Sequence, residues 1–161
     1  SIHSHTHDYC GLRQMSDLGR SASGAESVAS RRVYVKRPEG GRRRLLNEMQ
    51  VIDLLAAHQF EVVSPETLSV GEQVSVFSRC EAVVGVSGAA MTNTIFSSSR
   101  CKVLSLMPNR GEEYFFWDLA NVSGADFSVL YGKVDPNSEN GVHSDFSVDV
   151  DLLNEWLCSL T

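Results

Sequence analysis

A chain of 161 residues has the length of one domain with, at most, a tail. Apolar content of 42% and charged content of 21% are those of a soluble globular protein, and no run reaches the roughly 18–20 apolar residues of a membrane span. A net charge of −6 excludes a general nucleic-acid surface, yet seven of the fourteen Lys and Arg lie between Arg31 and Arg44. No cation follows Lys133, while six acidic residues do. That imbalance points to a local anion site.

Residues 1–30 are rich in Ser, Gly, Ala and His and read as a weakly structured N-terminal segment; residues 31–161 read as the folded domain. His3, His5 and His7 alternate beside Asp8 and Cys10. Alternate residues share a face only on a strand, and no second ligand cluster follows, so no metal site is expected. Arg32–Lys36 alternates and is β-rich, a first strand. Arg37–Arg44, with Pro38 and two glycines, is a loop. Leu45–His58 carries Leu45, Met49, Ile52, Leu55 and Ala56 at helical spacing. Phe60–Val63 is a second strand, closed by Ser64-Pro65. Ser69–Glu72 reads S-x-x-E, a capping box, opening a helix to about Arg79 with Val70, Val74 and Phe77 inward.

Glu81–Val86 is a third strand, apolar on both faces, as in a sheet covered on both sides. GVSGAAMTN, residues 85–93, then opens a short helix to about Phe96. Lys102–Met107 is a fourth strand, and Asn109–Glu112 offers a second capping box before an aromatic helix at Glu112–Leu119. Asp126–Tyr131 is a fifth strand, Pro136–His143 a polar loop, and Val150–Leu160 a closing helix. Strands alternating with helices imply right-handed parallel crossovers. The expected fold is α/β, a Rossmann-like, doubly wound, mostly parallel sheet of about five strands. Ligands in such sheets sit outside the carboxyl ends of the strands, where strand order reverses. Residues 37–44, 87–93 and 108–114 project there.

Ser87–Asn93 combines small side chains with the start of a helix, whose unpaired N–H groups bind phosphate. Close strand–helix packing explains the same composition, with Ser87 as a simple N-cap, and both readings stand. Gly88 and Ala89 begin the turn, and Thr92 and Asn93 add a hydroxyl and an amide. Arg37, Arg42, Arg43 and Arg44 are natural phosphate partners, since guanidinium forks match phosphate oxygens; a solvated charged loop is the alternative. Glu48 is placed to orient Arg37 or Arg44 by a salt bridge. Glu112 and Glu113 are the acids nearest the fourth strand's exit. His58 ends a helix, where it suits the dipole, and no Ser-His-Asp or Cys-His arrangement assembles. Four widely spaced cysteines (Cys10, Cys80, Cys101, Cys158) read as reduced thiols of a cytoplasmic protein. The chain shows no secretory leader and does not begin with Met, as expected of a piece or a processed form.

Three segments taken in order, RRVYVKRPEGGRRRLLNE, FEVVSPETLSVGEQVSVFSRCEAVVGVSGAAMTN and IFSSSRCKVLSLMP, resemble the conserved domain of family 61 glycosyltransferases. That family includes capsular polysaccharide enzymes, plant xylan arabinosyl- and xylosyltransferases and animal O-linked N-acetylglucosaminyltransferases. The resemblance implies the donor-binding half of a GT-B architecture. It implies inverting transfer from a nucleotide-diphosphate sugar to a polysaccharide or glycan acceptor, with no bound metal and no other cofactor. Arg37, Arg44 and Asn47-Glu48 match the family's arginine-rich segment, Glu72-Gln73 its "EQ" segment, and Gly88, Thr92 and Asn93 its "HGAGLTN" loop. Ser87 stands where that loop begins with His, and Ala90 stands at its second Gly.

The resemblance assigns no general base within this chain. Thirty loosely patterned residues cannot form an acceptor domain, so a missing N-terminal domain or a partner subunit is expected. The alternative is a non-catalytic nucleotide- or sugar-phosphate-binding module. A cytoplasmic location, free or peripheral to a membrane, is expected, with no transmembrane segment and no nucleic-acid partner.

Overall fold

The computed structural model of the chain describes residues 8–22, 30–109, 114–138 and 143–160. Two strands buried along nearly their whole length, β3 (Cys80–Val86) and β4 (Lys102–Pro108), occupy the middle of one mixed α/β sheet. Their apolar residues alternate between two cores. Val84, Leu104 and Leu106 face one side, and Val83 and Val103 face the other. Such strands must be covered on both faces, and they are. Helices α2 (Glu48–Ala57) and α5 (Val150–Cys158) cover the first face through Val51, Leu55, Leu153 and Leu157. The second is covered by α3 (Val70–Phe77), a 3₁₀ helix (Ala89–Phe96) and α4 (Tyr114–Ser123), through Phe77, Met91, Ile95 and Leu119.

The sheet order is β2-β1-β3-β4-β5-β6, with β1 at Arg31–Val35, β2 at Phe60–Val63 and β5 at Asp126–Val134. The first five strands run parallel. The sixth, β6 (Phe146–Ser147), is a two-residue antiparallel addition to β5, so the sheet has six strands where the sequence suggested about five. Too short to carry a period, β6 leaves no pattern to read. Strand order reverses between β1 and β3, which sit side by side and both end at the same edge. The loops after β1 and β3 therefore meet at the switch point.

Several elements depart from the sequence reading. A helix, α1 (Asp8–Ala22), lies within the segment expected to be weakly structured. It packs on the 3₁₀ helix, α4 and α3, and its buried Ser16 gives no apolar signal. Helix α2 turns Val51 and Leu55 inward while Met49 is exposed, so its buried stripe is offset from the expected one. Val70 is likewise exposed, and α3 is anchored by the fully buried Phe77, a burial worth about 1.5–3 kcal/mol. The Ser69–Glu72 capping box forms in full; the one expected at Asn109–Glu112 reaches outside the described residues.

The helix after β3 is 3₁₀, not α. Thr92 Oγ1, Asn93 Nδ2 and Thr94 Oγ1 each donate to the carbonyl three residues back, at 2.6, 3.2 and 2.8 Å. Local side-chain bonds of this kind compete with the α ladder. The helix lies close against the sheet because residue 85 is glycine: a Cβ there would stand 2.5 Å from Met91 Sδ and 3.0 Å from Val35 Cβ. Cys80 and Cys101 are buried free thiols. Burial pushes Cys80 up to about 12 and raises Cys101 as well, so both serve as core hydrophobes.

Candidate functional site

The basic segment around β1 is sorted by the fold into two groups. At the amino end of the sheet, Arg31 Nε pairs with Glu61 and Arg32 Nε with Glu81, each at 2.5 Å. These cations are spent on the fold. Past the carboxyl end of β1, residues 36–46 curl over a cleft of about 330 Å³ that Glu48 and Val86 complete. Arg37, Arg42, Arg43 and Arg44 all line it.

Their roles differ. Arg44 Nε and Nη2 donate to Asp145 Oδ2 at 2.9 and 2.6 Å, and the Arg44 backbone N–H donates to Asp145 Oδ1 at 2.8 Å. That hydrogen bonding holds the Asp145 carboxyl below its ordinary range. The acid expected to orient Arg37 or Arg44, Glu48, instead accepts from the Tyr34 hydroxyl at 2.7 Å. Burial raises the Tyr34 hydroxyl further, and the bond to Glu48 adds to it. Asn47 is a brace: its Nδ2 donates to the Val148 carbonyl at 2.8 Å, and its Oδ1 accepts from the Val148 N–H at 3.1 Å. Gln73 likewise donates to the carbonyls of Pro65 and Leu68. Arg42 is exposed on the loop.

Arg37 has no ion-pair partner among the described residues. Its guanidinium is partly buried, and desolvation lowers its pKa. One long bond, Nη1 to the Arg43 carbonyl at 3.5 Å, is its hydrogen bond to the loop. The group rests on the turn after β3: a Cβ on Gly88 would stand 3.3 Å from Arg37 Cζ. Arg43 reaches the same turn. Its backbone adopts φ 62°, an uncommon conformation for a non-glycine residue that accompanies functional sites. Its N–H is bonded to the His143 carbonyl, and its Nη1 donates to the Ser87 carbonyl at 2.8 Å and to Ser87 Oγ at 3.0 Å.

Ser87 is thus buried beneath Arg43 and does not cap the helix that follows. The first backbone bond of that helix runs from Met91 N–H to the Gly88 carbonyl, so the N–H groups of Ala89 and Ala90 precede it. Helix starts offer such groups to anions. Thr92 lines a second cleft here, and Asn93 turns its amide back on Ala90. Glu112 and Glu113 lie outside the described residues, as do His3, His5 and His7. Among the described residues no three His, Cys, Asp or Glu side chains converge on a metal position, and no helix is long and apolar enough to cross a membrane.

The structure therefore brings Arg37, Arg43, Ser87, Gly88 and Ala89 together and places Asn47 and Gln73 in braces. Arg43 was only one of several loop arginines in the sequence. Its φ and its reach to Ser87 are tertiary properties, for which the sequence carries no signal. Two clefts that share Arg43 lie at the switch point, one lined also by Arg37 and the other by Gly88; guanidinium groups beside helix-start N–H groups suit an anion.

No curated protein matches the chain. The family model described as Glycosyltransferase 61 matches residues 1–104, a stretch that contains β1, the arginine loop and the Ser87–Asn93 turn. The chain belongs to glycosyltransferase family 61.

Proposed function

We propose that this chain is the donor-binding part of an inverting glycosyltransferase, taking a nucleotide-diphosphate sugar at the carboxyl ends of β1 and β3. Family membership supplies the chemistry, glycosyl transfer. The observation that carries the donor site is Arg37, a partly buried cation with no acidic partner among the described residues, held over Gly88. A desolvated, unpaired charge is costly, and an anion in the cleft offsets that cost.

In this reading an acceptor hydroxyl attacks the anomeric carbon, the bond to the β-phosphate oxygen breaks, and the nucleoside diphosphate departs. Arg37, Arg43 and the N–H groups at the start of the 3₁₀ helix hold the charge that develops on the leaving phosphate. Arginines do this work without a metal. The base that takes the hydroxyl proton and the acceptor site belong to a second domain or a partner subunit, in a GT-B arrangement with a polysaccharide or glycan acceptor.

A second reading, a non-catalytic binder, is favoured by Ser87, which stands where the family loop carries His. Calorimetric titration of pyrophosphate and nucleoside diphosphates tests the donor site. Binding by the parent, weakened at least tenfold by Arg37→Ala or Arg43→Ala, is expected; no binding of either ligand overturns it. Donor hydrolysis or transfer then separates enzyme from binder.

A further inference from the structure

Helix α4 starts at the same edge of the sheet as the 3₁₀ helix and packs against it. Its first turns carry Phe115 and Phe116, which close a second cleft of about 290 Å³ over Arg43, Ser87, Gly88, Ala89 and Thr92. Arg43 lines both clefts. Phe115 is 53% exposed, and it meets Phe116 edge to face at 5.2 Å with an interplanar angle of 81°. Phe116 is packed against the second core, and the Phe115 ring beside it leaves about half of its surface to solvent. Both phenylalanines lie beyond the residues that the family model matches.

We propose that Phe115 is the stacking platform for the nucleobase of the bound nucleotide; this rests on the donor-site reading above. A ligand whose phosphates lie between Arg37 and Arg43 continues past Arg43 into the second cleft. What that cleft offers is an aromatic face. Its two hydroxyls each already make a bond within the protein: Ser87 Oγ, itself buried, accepts from Arg43, and Thr92 Oγ1 gives its one proton to the Ala89 carbonyl. A hydroxylated sugar needs polar partners, because its buried hydroxyls are costly when unmade. A planar base needs a ring to lie on, and every base has such a face. Arg43 at the rim adds a guanidinium plane. Stacking on Phe115 tolerates any base, so discrimination among nucleotides is expected to be weak.

The test is calorimetric titration of the 161-residue chain with pyrophosphate, with the uridine, adenosine, guanosine and cytidine diphosphates, and with a uridine-diphosphate hexose. Variants are Phe115→Ala, Phe115→Leu (apolar bulk without a ring) and Phe115→Trp. Nucleoside diphosphates are expected to bind more tightly than pyrophosphate. Phe115→Ala and Phe115→Leu should each weaken them roughly tenfold, leave pyrophosphate unchanged, and be rescued in Phe115→Trp. Equal affinity of the parent for pyrophosphate and nucleoside diphosphates, or an Ala variant equal to the parent, overturns the platform while leaving the phosphate site standing. A loss confined to the hexose-bearing ligand assigns the ring to the sugar and also overturns it. Absence of pyrophosphate and nucleotide binding alike defeats the donor site itself.

Discussion

The guanidinium of Arg37 lies against the backbone of Gly88, so that a Cβ there would meet Arg37 Cζ at 3.3 Å and Nε at 3.4 Å. The loop after β1 and the turn after β3 are thereby held in register at one point, with a cation on one side and helix-start N–H groups on the other. Gly88 has φ 161°, extended backbone open to any residue. Glycine is required here for space alone.

Gly88→Ala is therefore expected to act through Arg37 and not through strain. The guanidinium must shift by a few tenths of an ångström. Pyrophosphate affinity should fall severalfold in calorimetry, with the melting temperature nearly unchanged. A large loss of stability would place the effect elsewhere.

Arg37→Met should separate function from stability. The variant keeps the apolar stem and removes a partly desolvated cation without an acidic partner among the described residues. Urea unfolding is expected to show stability equal to or up to about 1 kcal/mol above the parent, while anion binding is lost. Residues kept for binding commonly have this signature.

Asn47→Ala should do the reverse. It leaves the N–H and C=O of Val148 without the amide that satisfies both. The cost expected in urea unfolding is about 1–3 kcal/mol. Ligand affinity, measured where the variant is folded, should change far less than for Arg37→Met.

Asp145 gives the stability a pH dependence of known sign. Its carboxyl is depressed chiefly by the bond from the Arg44 side chain. A depressed carboxylate contributes stability above its unfolded pKa, and that contribution is lost as pH falls through the folded value. Parent and Asp145→Asn should differ most near neutral pH and converge as pH falls below the ordinary aspartate value of about 3.9 and through the depressed folded value. Unfolding curves across pH 2–7 measure this, and a constant difference would contradict it.

Gly85→Ala tests the seat of the 3₁₀ helix. The added methyl meets Met91 Sδ and Val35 Cβ, overpacking expected to cost about 1–3 kcal/mol. Met91 is flexible, so the double variant Gly85→Ala/Met91→Ala should cost less than the sum of the two single changes, as residues in contact do.

The sequence by itself determined the alternation of strands and helices, because each strand is an apolar run bounded by polar links. It also indicated the edge of the sheet at which the loops after β1 and β3 meet. The Ser69–Glu72 capping box was legible because its partners are three residues apart. Helix α1 and β6 were not legible. Part of α1's burial rests on Ser16, and β6 is two residues long.

What each arginine of the basic segment does was decided only by tertiary structure. Sequence distance hid the pairing of Arg44 with Asp145, which are 101 residues apart, and the same holds for Asn47 with Val148. With Arg31, Arg32 and Arg44 neutralised by carboxylates drawn from elsewhere in the chain, Arg37 and Arg43 are the two that lie on the turn after β3. Composition concentrates charge in a segment. Long-range pairing selects which of those charges faces the cleft.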